Sequence, residues 1–73
     1  MSRNNLILVI AHRGRYYVVP NVNADEEWSC DFARRYVCET GRRYTRDRGR
    51  ALVRAHNLQL RMQTEYGVRE LQC

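Results

Sequence analysis

The sequence predicts an α+β fold: an N-terminal β-hairpin packed on two helices, with a short C-terminal third strand, forming a ββααβ two-layer sandwich. Two apolar, β-branched-rich runs at 6–12 and 15–19 are separated by two turn-forming residues, as in a hairpin. Two later stretches repeat apolar residues at helical spacing. The segment Val68–Leu71 is typical of a short strand returning to the hairpin.

In the hairpin, Arg13-Gly14 is the expected turn, because glycine readily adopts the positive φ that two-residue turns require. The predicted register pairs Leu8 with Val19 and Ile10 with Tyr17 on one side, and Val9 with Val18 and Ala11 with Tyr16 on the other. Pro20 either ends the regular pairing or places its strand near an edge. Both sides are apolar. The second side is therefore a candidate dimer or partner surface, unless a loop covers it.

The first helix is expected to begin at Asn23, with Glu26 completing a capping box, and to end at Thr40-Gly41. Asp31 and Arg35 are four residues apart and should pair. The face directed to the core holds Trp28, Phe32, Ala33, Tyr36 and Val37.

The second helix is expected to be capped by Thr45 and to run to about Tyr66, where Gly67 ends it. Its apolar arc holds Ala51, Leu52, Ala55, Leu58, Met62 and Tyr66. On another side of the same helical wheel, four arginines form a continuous basic stripe: Arg46, Arg50, Arg54 and Arg61.

Charge is distributed unevenly along this single small domain, 1–73. All thirteen positive charges are arginines, and eight of them follow Gly41, where only three acids occur. Codon usage is an alternative explanation for the choice of arginine over lysine, although it does not explain where the arginines lie. Arginine binds phosphates and carboxylates bidentately and stacks on rings. The sequence therefore predicts an acidic partner.

The candidate binding residues are the basic stripe together with arginines and a tyrosine that could add stacking to a nucleic-acid contact. They are Arg46, Arg50, Arg54, Arg61, Arg42, Arg43, Arg15 and Tyr16. The competing interpretation is a solvated helix face with internal ion pairs. No spacing typical of a zinc site and no catalytic motif is present, so the sequence predicts a non-enzyme with no metal and no cofactor.

Three cysteines, an odd number without the spacing of a disulfide framework, suit a reducing compartment. Cys30 is expected to be a buried thiol, and the terminal Cys73 could link two chains. The roles of Cys38 and Cys73 stay open. Neither a signal peptide nor a membrane-spanning segment is recognisable, which favours the cytoplasm.

Several segments together carry a resemblance: Tyr16-Tyr17-Val18-Val19, Asn23-Ala24-Asp25, Trp28, Ala33, Ala51-Leu52, Ala55-His56-Asn57 and Glu65-Tyr66-Gly67-Val68-Arg69-Glu70-Leu71. The pattern resembles small open reading frames of phages and bacterial mobile elements. That resemblance implies an accessory protein that binds and disables a host machine, as anti-CRISPR proteins do. Because this chain is basic, simple DNA mimicry does not fit; acidic protein patches, guide RNA or DNA are the expected targets.

Three functions follow as hypotheses. The first is a phage or mobile-element inhibitor of a host nucleic-acid-handling complex, acting through the arginine-rich helix face in the host cytoplasm. The alternative is a direct nucleic-acid-binding module. A further alternative is a structural protein that homodimerises through its apolar sheet face.

Overall fold

The computed structural model describes residues 5–23, 29–31, 33–35 and 44–73. Three strands, β1 (Asn5–His12), β2 (Arg15–Asn23) and β3 (Val68–Gln72), form one sheet in the order β2-β1-β3. Strand β1 is antiparallel to β2 and parallel to β3. The long helix spans Arg48–Met62. Residues 30, 31 and 33–35 are also helical. The predicted α+β class and the third strand are confirmed.

The hairpin forms in the predicted register, with Leu8 opposite Val19 and Ile10 opposite Tyr17. Its turn residues, Arg13 and Gly14, have φ angles of 51° and 73°. Both positive angles are those of a type I′ turn, whose twist matches that of the flanking strands.

Strand β2 continues through Pro20 to Asn23, beyond the predicted end at Val19. The prediction that Asn23 begins the first helix is therefore wrong, because Asn23 pairs with Asn5 in the sheet. The register shifts between Leu6 and Leu8, which pair with Val22 and Val19 respectively. One extra residue of β2 is therefore accommodated beside Pro20, as in a β-bulge. A proline is tolerated there because β2 is an edge strand and the bulge has already interrupted the ladder.

Gly14 gives a test of the turn. Substitution Gly14→Ala is expected to lower the free energy of unfolding by about 1 kcal/mol, because its φ of +73° disfavours any residue that carries a Cβ. Nothing lies within 4 Å of the added methyl group, so the cost is conformational and not steric. Urea unfolding measures this decrease in the free energy of unfolding. An unchanged midpoint would contradict the turn geometry.

Both faces of the central strand, β1, are buried within the chain. Residues Leu6 to Ile10 of β1 are at most 1% exposed. One face forms a cluster with Ala33 and Leu71, and its members on β1 and β2 are Leu6, Leu8, Ile10, Tyr17, Val19 and Val22. The other face, Ile7 and Val9, packs against Ala51 and Ala55 of the long helix.

The two helical segments therefore contribute to clusters on opposite faces, and the sheet lies between them instead of forming one side of two layers. The sequence left open which face the helices cover, because β1 is apolar on both faces. The apolar face that was the candidate dimer surface is not free: Val9 is 1% exposed, and Tyr16 and Val18 are half-buried in the cluster with Ala51 and Ala55.

The long helix is shorter than predicted at both ends. Its N-cap is Asp47, whose side chain accepts a hydrogen bond from the Arg50 backbone N–H. Thr45 does not cap it; the Thr45 backbone instead exchanges hydrogen bonds of 2.8 and 3.0 Å with Tyr16 at the edge of β2. At the other end, Gln63 adopts the left-handed conformation with φ 51°.

Tyr66 and Gly67 consequently lie outside the helix, in the turn that leads into β3. The Tyr66 N–H donates to the Asn5 carbonyl at 3.1 Å, and the Gly67 carbonyl accepts from the Ile7 N–H at 2.8 Å. These bonds align β3 beside β1. Pairing with the sheet therefore ends the helix earlier than the local sequence pattern indicates.

Cys30 and Cys73 form a disulfide, with their Cα atoms 5.4 Å apart. The Cys73 N–H also donates to the Ala11 carbonyl at 2.7 Å, which continues the pairing of β3 with β1. The prediction of Cys30 as a buried thiol is wrong: the partner cysteine is distant in sequence and comes near only when β3 joins the sheet. Cys38 lies outside the described residues, as do Trp28, Phe32, Tyr36, Val37, Thr40 and Gly41.

Candidate binding surface on the long helix

The long helix directs three arginines away from the core. Arg50, Arg54 and Arg61 lie within about 40° of one another on a wheel with 100° per residue. Ala51 and Ala55, which are buried against the sheet, lie on another side of the helix. All three arginines are exposed. The packing of the alanines therefore fixes the direction in which the basic side chains point.

These guanidinium groups are largely unmatched by carboxylates. The nearest acid to the Arg50 Nε is Asp47, whose Oδ2 is 3.9 Å away. Both groups are well exposed, so this contact contributes little. Among the described residues, neither Arg54 nor Arg61 has an ion pair or a hydrogen-bond partner. Two of the predicted binding residues therefore present solvent-exposed charges that have no internal partner among the described residues.

Arg46 is not part of the helical stripe. It lies in the bend before the helix, between Thr45, which pairs with Tyr16, and the N-cap Asp47. The predicted stripe of four helical arginines is therefore wrong in its first member, and three remain. Arg46 is nevertheless exposed near the start of the helix. The predicted Arg42 and Arg43 lie outside the described residues.

The tyrosines near the candidate arginines are divided between the two faces of the sheet. The Arg15 guanidinium carbon lies 4.5 Å from the centroid of the Tyr44 ring, and that ring is 5.7 Å from the ring of Tyr17. Arg15 is thus already engaged by an aromatic ring of its own chain. Because neighbouring strand residues point to opposite faces, Tyr16 lies on the other face, in the cluster beneath the long helix.

Tyr16 and two of the arginines come together at a cavity of about 350 Å³. It lies between the edge of β2 and the start of the long helix. Its lining consists of Tyr16, Val18, Tyr44, Thr45, Arg50 and Arg54.

A second, larger groove of about 610 Å³ runs along the exposed side of the helix. It is lined by Asp47, Gly49, Arg50, Val53, Arg54, Asn57 and Arg61. Val53 is 61% exposed, and Leu60, two turns further along the helix, is 75% exposed. Sequence reasoning missed both residues because they fall outside the apolar arc that packs on the sheet. Their seven-residue separation was the available signal.

The remaining charge contacts are structural. Arg48 donates from Nε and Nη2 to the two carboxylate oxygens of Glu70, both at 2.9 Å, and so ties the helix start to β3. Asp31 pairs with Arg34 and not, as predicted, with Arg35. Arg34, three residues after Asp31, is held in place because its Nε also donates a hydrogen bond to the Cys30 carbonyl.

In the part of the chain that the structure describes, no three His, Cys, Asp or Glu side chains come together as a metal site. The same residues contain no helix of the length and apolarity that crossing a membrane requires. The chain was also compared with known protein families, characterised proteins and solved structures. None of them matches it.

Proposed function

We propose that the protein is a non-enzymatic inhibitor, encoded by a phage or mobile element, that acts in the host cytoplasm. In this proposal the arginine face, defined as Arg50, Arg54 and Arg61, docks on an acidic surface of a host complex that handles nucleic acid. The observation that carries the proposal is the free charge of Arg54 and Arg61 beside an open groove. The inhibitory role rests on the resemblance to phage accessory proteins.

Among the described residues, Arg54 and Arg61 have no internal ion-pair or hydrogen-bond partner. A carboxylate or phosphate of a partner can form bidentate, charge-assisted hydrogen bonds with each guanidinium. Such bonds displace only water, because no ion pair within the described part of the chain must first be broken. The net charge of +5 would also accelerate encounter with an acidic target.

Charge reversal tests the proposal. The double substitution Arg54→Glu/Arg61→Glu is expected to weaken capture of the partner from a bacterial lysate by roughly a hundredfold or more, since it replaces two attractions by two repulsions. The melting temperature should change little, because both side chains are exposed and lack internal partners. Quantitative pull-down and thermal unfolding measure the two effects.

The matched control is Arg35→Glu/Arg69→Glu, which changes the net charge equally at exposed positions away from the helix face. This variant should retain capture. Nuclease treatment of the lysate should leave capture intact if the direct target is a protein. Undiminished capture by the Arg54→Glu/Arg61→Glu protein, or equal loss in the control, would refute a role for the arginine face.

Direct binding of nucleic acid is a second candidate, favoured by the cavity in which Tyr16 lies beside Arg50 and Arg54. A base stacked there would place its phosphate near the two guanidinium groups. Gel-shift binding should then weaken steeply with salt, because each neutralised phosphate releases counterions. Absence of binding at low salt to duplex DNA, single strands and RNA would eliminate this candidate.

A further inference from the structure

The long helix carries an exposed row of residues that the fold does not use. Gly49, Val53, His56 and Leu60 follow one another at intervals of four, three and four residues, and all four are exposed. This is the spacing with which one helix packs along another. We refer to these four residues as the exposed ridge. Val53 and Leu60 are its apolar members, and they point away from the sheet.

The first half of the exposed ridge borders the same groove as the arginine face, whereas His56 and Leu60 continue the ridge beyond the groove lining. Gly49 and Val53 line it from the ridge, and Arg50, Arg54 and Arg61 line it from the basic side. Gly49 lacks a side chain and so permits close approach of another backbone at the first turn. A ligand lying along the helix here would contact Val53 and Leu60 on one side and the three guanidinium groups on the other, with the carboxylate of Asp47 near the start of the helix.

Three kinds of ligand satisfy these charged and apolar residues to different degrees. Nucleic acid would satisfy the arginines but would leave Val53 and Leu60 in water. A second copy would cover the apolar residues, but it would bring together two chains that each carry a net charge of +5. A helix with an apolar stripe and acidic side chains on one flank satisfies both groups of residues.

We infer that the occupant is an amphipathic, acidic helix of the partner protein, which lies along the exposed ridge with its carboxylates against the arginine face. This inference rests on the proposed function and specifies the target element. It adds a requirement that charge alone does not impose: Val53 and Leu60 must be covered on binding. In this mode of recognition a helix lies in a groove and is held by side chains that recur at helical spacing.

The probe is a synthetic peptide of three heptads with leucine at the core positions and glutamate on one flank. A second peptide has the same composition in scrambled order, so that it carries equal charge and no apolar stripe. Fluorescence polarisation measures both affinities. The amphipathic peptide is expected to bind at least tenfold more tightly than the scrambled one.

Two double variants separate the contribution of the apolar residues to binding from that of the arginines. Val53→Ser/Leu60→Ser should weaken binding of the amphipathic peptide about tenfold or more and leave the scrambled peptide unaffected. Arg54→Glu/Arg61→Glu should weaken binding of both. The matched control, Tyr66→Ser, removes an exposed apolar side chain outside the helix and should have no effect. Melting temperatures confirm that each variant is folded.

The outcomes separate this inference from the proposed function. Equal binding of the two peptides, lost only on arginine reversal, would overturn the helix inference and leave the acidic target intact. No binding of either peptide would also overturn it, and the lysate experiment would still judge the proposed function independently. A single-stranded oligonucleotide that binds regardless of Val53→Ser/Leu60→Ser would point to nucleic acid. A dimer in light scattering that Leu60→Ser abolishes would identify a second copy as the occupant.

Discussion

Removing the Cys30–Cys73 disulfide is expected to lower the free energy of unfolding by about 4 kcal/mol, the chain-entropy value for a loop of this size. The two cysteines are 43 residues apart, so the bond constrains more than half of the unfolded chain. It also joins the end of β3 to the helical segment that contains Ala33. For a chain of this size, a loss of 1 kcal/mol corresponds to a decrease of about 4–8 °C in melting temperature.

The measurement compares urea unfolding of the oxidised protein, the protein with reductant, and Cys30→Ser/Cys73→Ser. Reductant should have no further effect on the double variant. Cys38→Ser serves as the control for a cysteine outside the bond. Equal midpoints with and without reductant would show that the bond does not form or does not stabilise the fold. Free-thiol titration decides between these two explanations.

The same experiment bears on the proposed cytoplasmic setting. Reducing compartments keep most cysteines as thiols, whereas oxidising ones preserve disulfides. In the host cytoplasm the protein would therefore be expected to act in its less stable, dithiol form. Because the arginine face lies on the long helix and does not contain Cys30 or Cys73, partner capture should persist in reductant at temperatures below the melting point of the reduced protein.

The substitution Ile10→Ala is expected to lower the free energy of unfolding by about 2–5 kcal/mol. Ile10 is 0% exposed and lies in the central strand, between Tyr17 of β2 and Leu71 of β3. The cavity left by the lost methyl and methylene groups would be bordered by strands on both sides, which limits collapse around it. Chemical denaturation provides the free energy.

Val53→Ala is the matched control, since it also truncates a β-branched apolar side chain, but at a position that is 61% exposed. Its effect on stability should stay within about 0.5 kcal/mol. A loss from Ile10→Ala no larger than that from Val53→Ala would mean that β1 is not the centre of the core. Because the whole chain buries a small core, the Ile10→Ala protein is also expected to express poorly.

The hairpin was predictable in detail because its determinants are local. The turn at Arg13-Gly14 and two facing apolar runs leave only one register that pairs large side chains on both sides, and that register is observed. The short strand at Val68 was predictable from composition, although its parallel pairing with β1 was not. The arginine face was also predictable in its helical members, because Arg50, Arg54 and Arg61 follow helical periodicity.

The helix boundaries and the exposed ridge were harder to predict from the sequence. Thr45 and Asp47 are both good capping residues, and the choice between them depends on pairing of Thr45 with Tyr16, which are far apart in sequence. That choice removes Arg46 from the stripe. Val53 and Leu60 lie outside the predicted apolar arc, and the packing of Ala51 and Ala55 on the sheet confirms that they are left exposed.

By itself, the sequence determined the α+β class, the hairpin with its register, and a helix that carries a row of arginines. These features depend on periodicity and on turn residues, which act over a few positions. Only the tertiary structure decided that the sheet is covered on both faces, that Cys30 meets Cys73, and that Val53 and Leu60 lie open beside the arginines. Those features depend on contacts between residues distant in the chain, and a strand that is apolar on both sides is equally compatible with either arrangement of the helices.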